Sequence, residues 1–217
     1  MSSTVKTPKR TRRERAAATR ERVIRAAIEV FTEAGYVGAR MSDIADRAEV
    51  AVQTVYFTFH TKAELLQACF DFAVLGPEQL PPMEQSFFAD FLAARSGRAA
   101  LAAFVRGNTA ILGRSAAIKE VAESAPQEPE AAAVVERSER LRREGLAQIV
   151  VLLTDRFGLR AGLTGADATD LLLMLTSSGT YLTLQRYGWN EEKYVDWLID
   201  TLAKQLLAQP GRRSGAR

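Results

Sequence analysis

The segment VAVQTVYFTFHTK, residues 50–62, holds the side chains of this sequence that are best suited to contact another molecule. Its amide, hydroxyl and amino groups belong to Gln53, Thr54, Tyr56, Thr58, Thr61 and Lys62. These groups donate and accept hydrogen bonds, and the aromatic rings among them add flat apolar surface. The chemistry that such side chains support is recognition, in which no covalent bond is made or broken.

Catalytic and metal-binding chemistry finds little support in the rest of the chain. The sequence has no phosphate-binding loop, no dinucleotide fingerprint and no nucleophile paired with a histidine base. One histidine, His60, and one cysteine, Cys69, are too few for a zinc site or a disulfide scaffold. We therefore expect no enzyme activity, no cofactor and no metal, with His60 in solvent or near phosphate and Cys69 buried.

Length and composition indicate a folded protein of one or two domains. The chain has 217 residues, of which 47% are hydrophobic, and this content excludes general disorder. No apolar run approaches the length of about 18 residues that a membrane helix needs. We expect a soluble, cytoplasmic protein without a membrane partner.

The positive charge of the chain is concentrated at its N-terminus. The net charge is +3, yet residues 1–25 alone carry nine basic and two acidic residues. Residues 1–18 lack apolar periodicity, which predicts a flexible basic arm. Such an arm suits phosphate binding, and the alternative is a solubilising tail.

Helical periodicity organises the residues around the opening segment. Apolar residues recur on one face from residue 19 to 34, and Gly35 follows where a helix end favours glycine. A second helix is predicted at 41–48. Thr61 and Glu64 form a capping box that starts a further helix at 62–74. Gly76 and three prolines then mark a domain boundary, at Pro77, Pro81 and Pro82.

The opening segment is predicted to be helical although its residue types favour a strand. A lone strand between two helices could not satisfy its backbone hydrogen bonds, whereas a helix at 52–59 could. Val55 and Phe59 then face inward, and Gln53, Tyr56 and Phe57 face outward. Two short helices joined by a three-residue turn describe a helix-turn-helix, although Tyr56 and Phe57 could alternatively be core residues.

The second half is predicted to be helical throughout. The expected helices lie at 84–95, 98–113, 129–157, 166–187 and 191–208, with a looser segment at 115–124. Thr164 and Asn190 suit helix starts, and Gly158 and Gly188 suit helix ends. The predicted fold class is all-α. Its parts are an arm at 1–18, a helix-turn-helix domain at 19–75, a helical domain at 76–210 and a basic tail at 211–217.

Residues 19–72 resemble the N-terminal domain of the TetR family of bacterial transcriptional regulators. The resemblance rests on the first helix with its Gly35 and Tyr36, the DIA at 43–45, the TVYFTF at 54–59, and Lys62. It implies a three-helix DNA-binding domain followed by a helical ligand-binding and dimerisation domain. The implied function is a homodimeric repressor that a small molecule releases from a palindromic site on double-stranded DNA.

The resemblance also assigns DNA-contacting positions. They are Arg40, Ser42, Val52, Gln53, Thr54, Tyr56, Phe57, Thr58 and Lys62. Gln53 and Thr54 lie where the family contacts base edges, and Tyr56 and Lys62 match phosphate-binding positions. The sequence departs from the family where Thr58 replaces a common histidine, Arg40 a threonine and Glu49 a glycine.

The predicted ligand and dimer contacts come from the C-terminal half. Polar residues interrupt apolar helix faces at Asn108, Ser177 and Ser178, and they either bond within the core or line a pocket together with Phe104. Apolar and small residues cover more than one face of the last two helices. This pattern predicts a dimer through Gly179, Thr180, Thr183, Leu198 and Leu202, and a large monomeric core is the alternative.

Two other functions compete with the ligand-responsive regulator. A ligand-independent or architectural DNA-binding protein would have the same recognition helix. An enzyme belongs to a different class, and the missing catalytic motifs count against it.

Overall fold

The computed structural model describes residues 11–77 and 79–208, which form an all-α fold. Its helices are α1 (Arg12–Gly38), α2 (Met41–Arg47), α3 (Val52–Phe59), α4 (Lys62–Leu75), α5 (Ser86–Ala93), α6 (Gly97–Glu123), α7 (Pro129–Phe157), α8 (Gly165–Leu175), α9 (Ser178–Arg186) and α10 (Glu191–Leu206). A 3₁₀ turn at Pro82–Glu84 precedes α5. Within these residues no helix is long and apolar enough to cross a membrane.

The first helix begins well before the predicted residue 19. The Thr11 hydroxyl accepts a hydrogen bond from the Glu14 backbone N–H, and the Glu14 carboxylate accepts one from the Thr11 backbone N–H, so a capping box satisfies the first turn. Residues 12–18 are therefore helical, which corrects the predicted extent of the flexible arm; residues 1–10 lie outside the described residues. Gly35 has φ 70° and kinks the helix, which then continues to Gly38.

The helix-turn-helix forms as predicted, with α3 helical despite its β-branched and aromatic residues. Ile44, Ala45 and Val55 are buried between α2 and α3. In the turn, Glu49 has φ 54°, and the Val50 backbone donates to the Ala45 carbonyl. Glu49 thus lies in the left-handed region, where the glycine common in the family would be less strained.

The fourth helix joins the two halves of the protein, and side chains from other elements donate hydrogen bonds to its C-terminal end. The Glu64 backbone donates to Thr61 Oγ1 at 3.0 Å and starts the helix. At the other end, Gln85 Nε2 donates to the carbonyls of Val74 and Leu75, and Arg114 Nε donates to that of Ala73. These bonds satisfy carbonyl groups that a helix C-terminus leaves without partners.

Two predicted helices have different extents in the structure. α6 runs unbroken through the segment predicted to be looser at 115–124, because buried Ile118 and Val121 continue its apolar face. The single helix predicted at 166–187 is divided into α8 and α9 instead. Ser177 accepts a bond from the Thr180 backbone and so starts α9 as a new helix.

The buried residues form two clusters, and the first of them crosses the predicted domain boundary. It contains α1 to α4 and also the end of α6 and the start of α7, through Ile118, Val121, Ala122, Ala125, Ala131 and Val134. The second cluster joins α5 to α10 around Leu101, Leu153 and Leu198. The Gly76 and proline segment therefore ends α4, but the hydrophobic core is shared by residues on both sides of it.

Candidate nucleic-acid interface and ligand cavity

The third helix presents a buried face and an exposed aromatic face. Val55 and Phe59 are enclosed in the core. On the other side, Tyr56 is 49% exposed and Phe57 is 85% exposed. This placement excludes the alternative that both rings are core residues. A surface of this kind suits stacking and hydrogen bonding to another molecule.

Polar groups surround these rings on α2 and α3. Gln53 is exposed, while Val52, Thr54 and Thr58 are half-buried. The Thr58 hydroxyl donates to the Thr54 carbonyl at 2.8 Å, so it bonds within its own helix. Arg40 and Ser42 are exposed at the start of α2. An exposed amide and an exposed guanidinium can bind base edges and phosphate, respectively.

Lys62 is already engaged within the protein. Its Nζ donates to the carbonyls of Tyr36 at 2.7 Å, Ala39 at 3.3 Å and Val37 at 3.4 Å. The same ammonium lies 4.5 Å from the centre of the Tyr36 ring. Lys62 thus ties the end of α1 to the start of α4. A phosphate contact by this residue stays a prediction.

Tyr36 connects this region to the C-terminal half. Its hydroxyl donates to Glu130 Oε2 at 3.3 Å, in the first turn of α7. Burial, followed by the nearby negative charge of Glu130, raises the pKa of Tyr36 to about 12. The phenol therefore stays neutral and keeps its hydrogen bond through the physiological range.

A cavity of about 610 Å³ lies between α4, α6 and α7. Its apolar wall includes Phe70 and Val74 of α4, Met83 and Phe87 before and on α5, and Phe104, Leu112 and Ile149. Of the predicted ligand-binding residues, Phe104, Asn108 and Ser178 line it. Ser177 is absent from the lining and caps α9 instead. A cavity of this size and character can hold a drug-sized molecule.

The cavity also contains an ionic cluster that sequence reasoning missed. Lys119 of α6 and Arg142 of α7 both pair with Glu139, and Lys119 also pairs with Glu123. Burial raises the pKa of Glu139, but its bond to Lys119 and the charges of Lys119 and Arg142 outweigh this effect and hold the pKa below its usual value. The spacings from Lys119 to Glu123 and from Glu139 to Arg142 were visible in the sequence. The packing of α6 against α7 that brings them together was not.

The predicted dimer residues divide into two groups. Gly179 and Thr183 are exposed and Thr180 is half-buried, and all three lie on α9. Leu198 and Leu202 are completely enclosed in the second core cluster. The prediction that these two leucines contact a second copy is therefore wrong, because α10 packs against α6, α8 and α9 of its own chain.

The lone cysteine lies where the sequence predicted. Cys69 is fully buried, and its Sγ is 3.6 Å from the Ile24 carbonyl. Burial raises the pKa of this thiol well above its ordinary value. A buried neutral thiol of this kind is a packing group and a poor nucleophile.

Comparison with known proteins gives sequence similarity over part of the chain. Residues 23–69 match the family model of bacterial regulatory proteins, tetR family. The HTH-type transcriptional regulator TtgW of Pseudomonas putida is 39% identical over 87 residues, which are 40% of this chain and 60% of that protein. The chain thus matches less than two thirds of that relative's length.

Solved structures extend the similarity in fold to nearly the whole chain. NalD, the secondary repressor of the MexAB-OprM multidrug efflux pump in Pseudomonas aeruginosa, is 20% identical with a TM-score of 0.68, covering 91% of this chain and all of that one. FadR of Bacillus subtilis, in complex with stearoyl-CoA, is 18% identical with a TM-score of 0.66, covering 84% and 96%. At these identities the likeness concerns the fold alone.

Proposed function

We propose that this chain, which belongs to the TetR family of bacterial regulatory proteins, is a homodimeric repressor of a palindromic operator. In this proposal the repressor leaves the operator when a small molecule binds. The observation that carries the proposal is the double role of α4. This helix follows α3 directly, and its residues Phe70, Asp71 and Val74 form one wall of the cavity. A molecule that fills the cavity must contact the helix that positions α3.

The exposed face of α3 supports a DNA-binding role. Gln53 can form a paired hydrogen bond with adenine, and the half-buried Val52 and Thr54 can touch a thymine methyl group. The Tyr56 hydroxyl and the Arg40 guanidinium can bind phosphate and set the position of the helix in the groove. Such contacts would give a preference for sequence together with general affinity for DNA.

A stripe on α9 supports pairing with a second copy. Gly179, Thr183 and Tyr187 follow each other at intervals of one helical turn, and all three are exposed. Met174, at the end of α8, adds an exposed apolar side chain. Small residues allow two helices to approach closely, and a symmetric pair would place two copies of α3 at a fixed separation.

Selection from a pool of random duplex DNA tests the proposal. The full chain should enrich a palindrome, and its complex should contain two copies of the protein per site. Compounds from a metabolite panel should then be screened for release of that palindrome, with random DNA as the control. Enrichment of no common sequence, or of a site bound by one copy, would contradict the proposal.

A further inference from the structure

The arrangement of charge in the cavity defines the class of molecule that fits it. We propose that the cavity binds an amphipathic monoanion, with its acidic group at Arg142 and Lys119 and its apolar body among Phe70, Phe87 and Phe104. This inference rests on the proposed function, because it names the ligand class of the same regulatory site.

The first argument is the excess of buried positive charge. The side chain of Lys119 is 12% exposed and that of Arg142 is 22% exposed, so both cations have lost most of their hydration. They share the single carboxylate of Glu139. Glu123, the other partner of Lys119, has a side chain that is 46% exposed, so solvent screens this second ion pair. Because a desolvated charge is costly without a partner, a second anion between the two cations is stabilising.

The second argument is the hydrogen-bonding geometry of Arg142. Its Nη2 donates to the Leu173 carbonyl at 3.0 Å and to Thr176 Oγ1 at 2.8 Å, which fixes the plane of the guanidinium. Its Nη1 lies 3.5 Å from Glu139 Oε2, longer than the roughly 2.7–2.9 Å of a good charge-assisted bond. A ligand carboxylate or similar acid can therefore gain a shorter bond on this side of an already oriented group.

The apolar wall supplies the second half of the specificity. Phe70, Phe87 and Phe104 come from three different helices and line the same cavity, so an elongated or aromatic body can pack among them. The remaining charged side chains of the lining are Asp71, Arg137 and Glu144, and the last two are exposed. Asp71 accepts a bond from Gln67 Nε2. It is the group that would favour a cationic ligand, so the test must include one.

The test compares three ten-carbon compounds that differ only in their polar group: decanoate, decan-1-ol and decylamine. Each is titrated calorimetrically into the full chain, without DNA, below the concentration at which the compound aggregates. Decanoate should bind at least about tenfold more tightly than the alcohol or the amine, as expected for a charged hydrogen bond. Equal affinities, or tighter binding of decylamine, would overturn the proposal.

Variants locate the acidic group. Arg142→Gln should weaken decanoate by about ten- to a hundredfold and leave decanol within about twofold. Arg143→Gln is the matched control, because Arg143 is the next residue on α7 and pairs on the surface with Asp170. Lys119→Met gives an independent measurement should Arg142→Gln fail to fold. Unchanged decanoate affinity in a folded Arg142→Gln or Lys119→Met protein would contradict the assignment.

The two proposals fail separately in these measurements. A chain that binds a palindrome but shows no preference for decanoate keeps the regulatory function and loses the ligand class. A chain that prefers decanoate yet binds no DNA loses the regulatory function and keeps the ligand class.

Discussion

The Nη2 atom of Arg142 lies 2.8 Å from the Oγ1 atom of Thr176, at the break between α8 and α9. Asn108 Nδ2 approaches the carbonyl of the same Thr176, at 3.5 Å. Arg142 and Asn108 belong to α7 and α6, and both line the cavity. One buried threonine thus receives a contact from each of two cavity helices. The break next to the proposed dimer stripe is therefore held by the groups that a ligand would contact.

Replacing Thr176 with valine should test how firmly that break is held. The shape of the side chain is kept, but Arg142 loses an oxygen acceptor in a buried place. We expect the free energy of unfolding to fall by about 1–3 kcal/mol, measured with urea at one fixed protein concentration. Thr32→Val is the control, because the exposed Thr32 bonds only to its own helix. Equal effects of the two changes would show that the Arg142 bond contributes nothing.

Gln53→Ala should separate sequence recognition from general affinity. Loss of a paired bond to a base should cost on the order of 1–3 kcal/mol on the specific site and little on random DNA. Lys62→Ala should lower the affinity for both kinds of DNA alike. It should also lower the free energy of unfolding, because the Lys62 ammonium donates to three carbonyl groups at the end of α1. Fluorescence anisotropy titrations with the specific site and with random DNA measure the two affinities. A loss for Gln53→Ala that is the same on both would refute its role.

Gly179→Arg should produce a monomer. Within one chain, a Cβ atom at Gly179 would meet only Ser177 Oγ, at 3.9 Å, so the substitution is tolerated inside the fold. A large charged side chain would, however, block a second copy on this stripe. Sedimentation at fixed concentration should show the monomer and a loss of binding to the palindrome. Gly113→Arg, at another exposed helical glycine with room for a Cβ, is the control. An intact dimer in Gly179→Arg would place the interface elsewhere.

The basic start of α1 should contribute to the salt dependence of DNA binding. Arg12, Arg13 and Arg15 lie on the exposed first turn, and replacing them with glutamine keeps the Thr11–Glu14 cap. If one or two of these arginines in each copy bind phosphate, the slope of log affinity against log salt should flatten by about two to four units per dimer. The bases selected by Gln53 should stay the same. An unaltered slope would show that these arginines stay in solvent and make no contact with phosphate.

Tyr36→Phe should change the stability of the protein at alkaline pH. The pKa of Tyr36 is raised from 10.0 to about 12, so folding favours the neutral phenol. The stability gained in this way is fully present below pH 10 and is lost as the pH rises to about 12. Because the Tyr36 hydroxyl donates to Glu130, the wild type should be more stable than Tyr36→Phe at pH 7, and the difference should shrink as the pH rises from 10 to about 12. Tyr56→Phe, at an exposed phenol, is the control. A difference independent of pH would contradict this assignment.

Much of the N-terminal half could be predicted because its signals are local. The turn residue Glu49, the cap at Thr61 and the inward pair Val55 and Phe59 each follow from residues within a few positions of each other. The helices at Val52–Phe59 and Pro129–Phe157 were predicted to the residue for the same reason. Start signals at Thr164 and Asn190 also operate over one turn.

The features that the sequence did not reveal depend on contacts between distant residues. The break at Thr176 is stabilised by Arg142, which lies on another helix. Lys119 and Glu139 meet only because α6 packs against α7. The wide apolar arc of α10 suggested a second copy around Leu198, but three helices of the same chain cover it. A single helix pattern cannot distinguish those two kinds of partner.

The core that α1 to α4 share with the end of α6 has a consequence for engineered hybrids. A hybrid regulator is most simply built by exchanging the DNA-binding domain at the boundary near Gly76. In this protein such an exchange would pack Ile118 and Val121 against the core of a foreign DNA-binding domain. A mismatched apolar contact there costs stability whatever the DNA contacts provide. A hybrid should therefore take the segment from Ile118 to Val134, which joins α6 to α7, from the same protein as its DNA-binding domain.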